Sequence, residues 1–272
     1  MTTETKKSGI FYGWWLLGAG LVVMVMQGGL YAYGFSAFFV PLAATLGPSR
    51  GALSMAFSFT RLESSLLGPL EGFLIDRFGP RGIMYIGFAI FGLSFFMFSW
   101  VNSLLGFYLV FPLIALGASM SGFLPVVTAV NNWFSRRRGL ATGITSAGVN
   151  VGGMLVALVA IAITTYGWRT TAVIIAVTIC MLGFPLAAMM RHRPQQYGYL
   201  PDGDEQVKEP DPSEKGELSE GIVAKDSTAD ETPDFTPLQA LKTPAFWFIA
   251  SAHGFSLFIV GSVSIHQIPL LV

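Results

Sequence analysis

Six long apolar segments separated by short turns constrain the fold of this 272-residue chain more than any other feature. The segments cover residues 12–40, 52–75, 82–101, 104–131, 139–166 and 169–190. Each one is long enough to cross the hydrocarbon core of a bilayer, about 30 Å, as a helix. A seventh apolar segment, 245–272, reaches the last residue. The pattern predicts an all-α polytopic membrane protein with a six-helix bundle and part of a seventh helix.

Composition supports the membrane class and argues against an ordinary soluble domain. Charged residues make up 12% of the chain and hydrophobic residues 53%, whereas soluble domains carry about 25% charged residues. The first apolar segment is longer than the roughly 7–15-residue core of a cleavable signal peptide, so we interpret it as the first span. The single cysteine, Cys180, cannot form a disulfide within the chain, and its expected role in an apolar segment is packing.

Acidic residues are concentrated in one segment after the six spans. Twelve of the sixteen Asp and Glu residues lie between Asp202 and Asp234. Residues 194–243 are rich in Asp, Glu, Pro, Ser and Gly, a composition that cannot bury enough apolar surface to fold alone. We therefore predict four parts: an N-terminus at 1–11, the six-helix bundle at 12–193, a mostly disordered acidic linker at 194–243, and the first helix of a truncated second bundle at 244–272.

Lysine and arginine residues indicate how the chain is oriented. If the N-terminus is cytoplasmic, nine of them fall on the inner side of the six spans, and two, Arg50 and Arg169, fall on the outer side. Loops rich in positive charge stay on the cytoplasmic side during membrane insertion. We therefore expect a multi-pass protein of the inner (plasma) membrane, with the N-terminus and the 194–243 linker in the cytoplasm.

The turn between the second and third spans carries a charged pattern. Residues 71–82 read EGFLIDRFGPRG, and five of them fit the pattern G-x-x-x-D-R-x-G-x-R: Gly72, Asp76, Arg77, Gly79 and Arg81. A glycine at position 72 permits close helix contact at the end of the second span. Gly79 and Pro80 favour a tight turn. An ordinary turn of positively charged residues would also account for these observations.

This pattern resembles the loop signature of the major facilitator superfamily. A closer resemblance, to the bacterial monocarboxylate porter and oxalate–formate antiporter branch, is carried by six stretches: FYGWW, GPLEGFLIDRFGPR, NWFSRRRGLATG, YGWR, RHRPQQYGYLPDG and HQIPLL. The resemblance implies a major-facilitator-type fold in which two six-helix bundles expose a central site to each side in turn. It also implies that the loop, with Glu71, acts as a conformational latch in which Asp76 and Arg77 form charge pairs between the halves.

Arg61 is the only charged residue on a stripe of small and polar residues in the second span. It lies about 15 Å into that span at the 1.5 Å rise of a helix, which is close to the membrane centre. A charge at that depth is costly and faces the bundle interior or a wet cavity. A guanidinium group binds a carboxylate through two contacts, so we expect Arg61 to bind an anionic substrate. The alternative is a structural ion pair.

Glu63 is a second charged residue deep in the same span. It lies two positions from Arg61, so the two side chains cannot face each other. A desolvated carboxylate can take up and release a proton, as proton coupling requires. A static pair between Glu63 and a basic residue of another helix is the alternative.

Three further polar residues are candidates for substrate binding. Tyr33 follows Gly28 and Gly29 in the first span, where a helix could bend and a phenol could line a cavity; packing with a hydroxyl partner is the alternative. Asn150 lies in the fifth span among closely spaced glycines and could face the cavity or bond across helices. His266 lies in the seventh span, where the branch resemblance implies a histidine, and a role in binding substrate or protons is expected by default.

Together these features predict a secondary transporter for a small organic anion. We expect a monocarboxylate, moved by alternating access with proton coupling or by exchange. The alternatives are a transporter of another small solute, such as a sugar, amino acid or drug, and a non-transporting membrane receptor on the same fold. The sequence offers no metal-ligand cluster, nucleophile–base arrangement or phosphate-binding glycine loop, so we predict no enzyme activity, metal, cofactor or nucleic-acid partner. The expected partners are the anion, protons and the bilayer, and we expect a monomer once the second bundle is complete.

Overall fold

A computed structural model describes residues 11–47, 50–197, 199–203, 239 and 241–266. Side chains are described over the same ranges except at 50–54, 56–66, 203 and 257–266. The chain divides into two compact units, Met1–Lys208 and Glu209–Val272.

Helices make up almost all of the described structure, and no strand occurs in it. The α-helices described in the first unit are α1 Tyr12–Met26, α2 Phe39–Leu46, α3 Arg50–Phe98, α4 Leu104–Ser121, α5 Phe123–Trp133, α6 Arg138–Gly152, α7 Val156–Tyr166 and α8 Trp168–Met189. In the second unit, α9 covers Pro244–His266, within the region where the seventh span is predicted. The predicted all-α class is confirmed.

Neighbouring helices join into longer apolar segments. A π-helix, Gln27–Ala32, and a 3₁₀-helix, Gly34–Phe38, connect α1 to α2. Five segments of the described chain are long and apolar enough to cross a membrane: Tyr12–Leu46, Leu67–Phe98, Leu104–Trp133, Arg138–Tyr166 and Trp168–Met189. We call Tyr12–Leu46 the first span and the last three the fourth, fifth and sixth spans.

Helix α3 contains the predicted second and third spans. Its 49 residues would measure about 74 Å as one straight helix, more than twice the thickness of the hydrocarbon core. Gly79 interrupts it with φ 75° and ψ 157°, a conformation that glycine adopts without the strain a side chain would add. Pro80 then starts the next helix at the position that proline favours. The turn expected from Gly79 and Pro80 is therefore where the second span ends and the third begins.

A cluster of buried phenylalanine side chains joins the first, third and fourth spans. Phe35 lies at its centre, with ring centroids 4.6 Å from Phe111, 5.3 Å from Phe98 and 5.6 Å from Phe38. All four rings are at most 1% exposed. Aromatic pairs at these separations add favourable contacts beyond the burial of their area. The cluster fixes the end of the bundle that lies opposite the Gly79 turn.

Glycines allow the first and fifth spans to touch through their backbones. A Cβ atom added at Gly152 would lie against the carbonyl oxygen of Val25 and 2.7 Å from the amide nitrogen of Gly29. One added at Gly148 would lie 2.8 Å from the carbonyl oxygen of Leu21. Small residues at such crossings let membrane helices approach closely, which is the main source of their attraction in lipid.

We predict that Gly152→Ala destabilises the protein, because backbone atoms of the first span cannot yield to the added methyl group. The expected loss is about 1–3 kcal/mol of unfolding free energy. The measurement is the thermal unfolding midpoint of the full-length protein purified in detergent.

The matched control is Gly143→Ala in the same helix. Among the described residues, a Cβ atom at Gly143 meets no atom within 4 Å, and alanine favours a helix over glycine by about 1 kcal/mol. Gly143→Ala is therefore expected to leave the unfolding midpoint unchanged or raise it. Equal midpoints for the two variants would contradict the close contact.

Candidate functional site

Two residues that the sequence nominated separately, Tyr33 and Asn150, form a pair. The hydroxyl of Tyr33 donates a hydrogen bond of 3.0 Å to Oδ1 of Asn150. Tyr33 belongs to the first span and Asn150 to the fifth, so the bond crosses between helices. Tyr33 is 43% exposed and Asn150 is also exposed. The pair therefore joins two spans while both side chains keep part of their polar surface exposed.

The wide turn of the π-helix sets the direction of Tyr33. The amide of Tyr33 donates to the carbonyl oxygen of Gly28, five residues earlier, at 2.9 Å. This spacing is the π-helical pattern, which inserts an extra residue into a turn and is frequent at functional sites. The π-helix is held against α6 because its Gly28 and Gly29 lie close to Val149 and Gly152 there.

Gln27 is a polar residue that the sequence analysis did not single out. It is 8% exposed, and its Nε2 donates to the carbonyl oxygen of Ala118 at 3.1 Å and to Oγ of Ser121 at 3.0 Å. The signal available in the sequence was its position, since it is the only amide side chain in the first span. Gln27 ties the first span to the fourth near Gly122, where α4 ends and α5 begins.

Glu71 lies inside the bundle. It is 4% exposed, and its Oε2 accepts a 2.8 Å hydrogen bond from Oγ of Ser119. Its Oε1 is buried without a hydrogen-bond partner in the described structure. Glu71, Ser119 and Gln27 all line one cavity of about 370 Å³ between the first, second and fourth spans.

The charged residues of the loop motif lie on the surface of the first unit. Asp76, Arg77 and Arg81 are exposed. The Arg77 guanidinium lies 5.7 Å from the ring centroid of Phe78, and that of Arg81 lies 5.7 Å from the ring centroid of Tyr85. These charges are accessible to groups outside the first unit, as the latch hypothesis requires.

Gly72 does not make the close helix contact that the sequence analysis expected, as far as the described residues extend. A Cβ atom built at Gly72 would meet no atom of them within 4 Å. The residue is partly exposed, so the space beside it opens away from the packed core.

The chain that leaves the sixth span folds back over the motif loop and the fourth span. We call residues 190–197 and 199–203 the return segment. Its His192 lies beside Gly79, and the carbonyl oxygens of Arg191 and His192 accept 3.0 Å hydrogen bonds from Trp133 Nε1 and Asn132 Nδ2. Burial lowers the pKa of His192, the charge of Arg193 lowers it further, and Asp76 acts in the opposite direction.

Arg191 anchors the return segment to the start of the first span. Its guanidinium carbon lies 3.9 Å from the ring centroid of Tyr12 and 4.3 Å from that of Tyr197. The hydroxyl of Tyr12 donates to the carbonyl oxygen of Met189 at 2.9 Å. Cations over aromatic faces at these distances attract the ring electrostatically.

Asp202 fastens the far end of the return segment to the turn before α6. Its Oδ2 accepts from the amides of Ser135 at 2.9 Å and Arg136 at 2.7 Å. Burial alone would raise the pKa of Asp202, but the backbone amides of Arg136, Ser135 and Arg137 outweigh that effect, so the pKa lies below its ordinary value of 3.8. The described part of 194–203, which the sequence analysis assigned to the linker, thus contacts the bundle through Asp202.

Arg61, Glu63 and His266 are the remaining predicted site residues. The backbones of Arg61 and Glu63 lie in α3 and that of His266 lies at the end of α9. Their side chains lie outside the described residues. Their predicted roles in substrate binding and proton coupling stay predictions.

We predict that Asp202→Ala costs about 1 kcal/mol of unfolding free energy, as the loss of a helix-capping carboxylate does. Because the folded-state pKa of Asp202 is lowered, its stabilisation is fully present above pH 3.8 and is lost as the pH falls through the folded-state pKa. The difference in unfolding midpoint between wild type and Asp202→Ala should therefore shrink on acidification from neutral pH to below pH 3.8.

The control is Asp202→Asn, which keeps an acceptor oxygen and tolerates the positive φ of 59° at this position. It should lose less stability than the alanine variant. A difference from wild type that does not depend on pH in either variant would contradict the assignment.

Comparison with known proteins shows which family and which individual proteins the chain resembles. Residues 7–271 match the family described as Major Facilitator Superfamily. The chain is 30% identical over 139 residues to the oxalate:formate antiporter of Oxalobacter formigenes, covering 51% of this chain and 33% of the relative. It is 26% identical over 190 residues to monocarboxylate transporter 14 of Mus musculus, covering 68% and 36%. It is 34% identical over 158 residues to the membrane sensor protein UhpC of Salmonella typhimurium, covering 57% and 34%.

Each of these matches covers about a third of the relative's own length. The family match, in contrast, covers nearly the whole chain, and the described helices have the length and apolar character of membrane spans. The chain belongs to the major facilitator superfamily.

Proposed function

We propose that this chain forms part of a secondary transporter that carries a small organic anion, with a monocarboxylate as the expected substrate. The observation that carries the proposal is the Tyr33–Asn150 pair. Asn150 lies twelve residues after the start of α6, about 18 Å along the helix and so near mid-membrane depth. Polar groups exposed at that depth are costly in lipid and face a water-filled cavity instead. Transporters of this kind bind substrate near the membrane midplane.

The charge expected at this depth favours an anion. Arg61 lies in the middle of the second span, and its guanidinium would bind a carboxylate in two-point contact. Two of the similar proteins are named for carboxylates, oxalate and formate in one and monocarboxylates in the other. Tyr33 and Asn150 would supply neutral hydrogen bonds to the same substrate. His266 would bind the substrate or a proton, the role expected from its position in the seventh span.

The distribution of basic residues supports a cytoplasmic position for the return segment. Arg77, Arg81, the three arginines at 136–138, Arg191 and Arg193 all fall on the side that the positive-inside rule assigns to the cytoplasm. The protein would then lie in the plasma membrane as a monomer, with its N-terminus and linker inside the cell. Gly72, Asp76, Arg77, Gly79 and Arg81 would form the latch that holds one of the two alternating conformations.

We predict that Tyr33→Phe weakens anion uptake, because Asn150 loses the hydroxyl that orients it. A single hydrogen bond contributes about 0.5–1.5 kcal/mol, so the apparent affinity should fall about two- to tenfold. Uptake of labelled oxalate, formate, lactate, pyruvate and acetate is measured in liposomes that contain the full-length protein, with empty liposomes subtracted.

The matched control is Tyr166→Phe, which removes a hydroxyl from a side chain that is 63% exposed at the end of α7. It should transport like wild type, whereas Arg61→Gln should abolish uptake. Equal uptake by Tyr33→Phe and Tyr166→Phe would show that the Tyr33–Asn150 pair does not take part in substrate binding. No uptake of any anion by wild type would reject the proposed substrate class.

A second candidate function is a membrane receptor that senses an anion without moving it. The 34% identity to a membrane sensor protein favours it. Comparing anion binding in detergent with anion uptake in liposomes distinguishes the two functions. A sensor binds the anion in detergent, as calorimetry would detect, yet shows no uptake in liposomes, whereas a transporter shows both.

A further inference from the structure

Glu71 is a buried carboxyl group that lacks the partners an ionised carboxylate needs. With 4% of its surface exposed, it is more than nine-tenths buried. Two carboxylate oxygens offer about four acceptor sites, yet the described structure supplies one donor, the Ser119 hydroxyl on Oε2. The other oxygen, Oε1, is buried and unpartnered. The charged side chains of the loop motif are exposed, whereas Glu71, which the sequence analysis grouped with them in the latch, is buried, so its carboxyl group calls for another explanation.

No described basic group faces Glu71 from the helices packed around it. Helices α4 and α5 contain no Asp, Glu, Lys, Arg or His. In α8 the only such residue is Arg169, whose guanidinium donates to the carbonyl oxygen of Ser99 and to Oδ1 of Asn102 near the far end of the third span. The first span contributes Tyr31 to the cavity, and α4 contains Tyr108. These two phenols can titrate, but a phenol carries no positive charge in either of its forms.

The other charged residues near Glu71 in sequence belong to α3 itself. Asp76, Arg77 and Arg81 follow Glu71 along the chain and are exposed near the Gly79 turn. Arg61 and Glu63 precede it, and their side chains lie outside the described residues. Among the described groups, therefore, the only polar contact to the Glu71 carboxyl is a hydroxyl.

The Glu71 side chain lines a cavity that has room for water. The volume of about 370 Å³ is large enough for several water molecules. Its lining is mostly apolar, with Gln27 and Ser119 as polar neighbours, and Gln27 is already bonded to Ala118 and Ser121. A metal ion would need several oxygen ligands, and the described residues hold no group of three or more His, Cys, Asp or Glu side chains. A proton needs only the carboxylate itself.

We propose that Glu71 is a proton-binding site of the first bundle, loaded and emptied through this cavity, with Ser119 orienting the carboxyl group. A hydronium ion in the cavity transfers its proton to Oε1, the unpartnered oxygen, and leaves a neutral water molecule, while Oε2 keeps its hydrogen bond from Ser119. Protonation removes a buried charge that has no basic partner among the described groups, and burying such a charge is unfavourable. Release returns the proton to the same water when the cavity is open.

This site deepens the proposed function, because it makes Glu71 the group whose proton moves with the anion, a role that the sequence analysis gave to Glu63. Ser119 lies two residues before the end of α4, and the break at Gly122 follows. A change in packing at that break would move the single donor that serves Glu71. Proton affinity and the arrangement of the fourth span are coupled in this way.

The first test does not depend on transport. Infrared difference spectra of the full-length protein are recorded as the pH is changed, and the C=O band of protonated carboxyl groups is followed. Glu71→Gln should lose one band component that wild type shows. Ser119→Ala should keep that component but shift it to higher frequency, because its C=O loses a hydrogen bond. Asp76→Asn, which removes an exposed carboxyl group, should keep the component unshifted. A component that persists unchanged in Glu71→Gln would overturn the proposal.

The second test uses liposomes with a pH-sensitive dye and a transported anion. Glu71→Gln should lose anion-driven proton movement while keeping exchange of labelled for unlabelled anion. Ser94→Ala is the matched control for Ser119→Ala, because the buried Ser94 hydroxyl bonds to Ile90 within its own helix. It should leave proton movement unchanged. Intact proton movement in Glu71→Gln would reject the site even where anions are carried. Absence of any anion transport in wild type would reject the proposed function, while the infrared result would still decide whether Glu71 binds a proton.

Discussion

Backbone contact between the first and fifth spans is the constraint on which the rest of the bundle depends. In lipid, apolar side chains gain nothing by leaving water, so helices associate through close packing and polar contacts. Gly28 and Gly152 provide that packing by leaving no side chain between the two backbones. Once the first span is held there, the π-helix that follows directs Tyr33 towards Asn150. The polar pair is a consequence of the glycine contact rather than an independent feature.

Most buried polar groups of the described residues are satisfied locally. The buried side-chain atoms without a hydrogen-bond partner there are His192 Nδ1 and Asp202 Oδ1, both in the return segment, and Glu71 Oε1, which lies within a span. The Gln27 amide donates both of its described hydrogen bonds to the fourth span. The hydroxyls of Ser94, Ser121 and Thr145 donate to carbonyl oxygens of their own helices. Unsatisfied polar groups are rare because each one costs free energy comparable to a lost hydrogen bond. Against that background the half-satisfied carboxyl of Glu71 stands out chemically. Its unpartnered oxygen needs either a hydrogen bond from water or a bound proton to offset the cost of burial.

Much of the fold could be predicted from sequence, and the arrangement of the site could not. Apolar length alone located the spans, and the Gly79–Pro80 turn was readable because a positive φ and a helix start each favour one residue type. The Tyr33–Asn150 bond joins residues 117 positions apart, and its existence depends on the register of two helices, which no local pattern encodes. Glu71 was grouped with the loop because it adjoins the motif. Its burial follows from the position of α4, which the sequence of α3 does not reveal.

The hydrogen bonds of the return segment have a mechanical consequence. The chain leaving the sixth span is fixed to Trp133 and Asn132 of the fourth span and, through Asp202, to the turn that opens the fifth. Tension applied to the chain beyond residue 203 would therefore reach three spans together instead of unwinding the sixth alone. The return segment would therefore distribute a force on the linker over one end of the bundle.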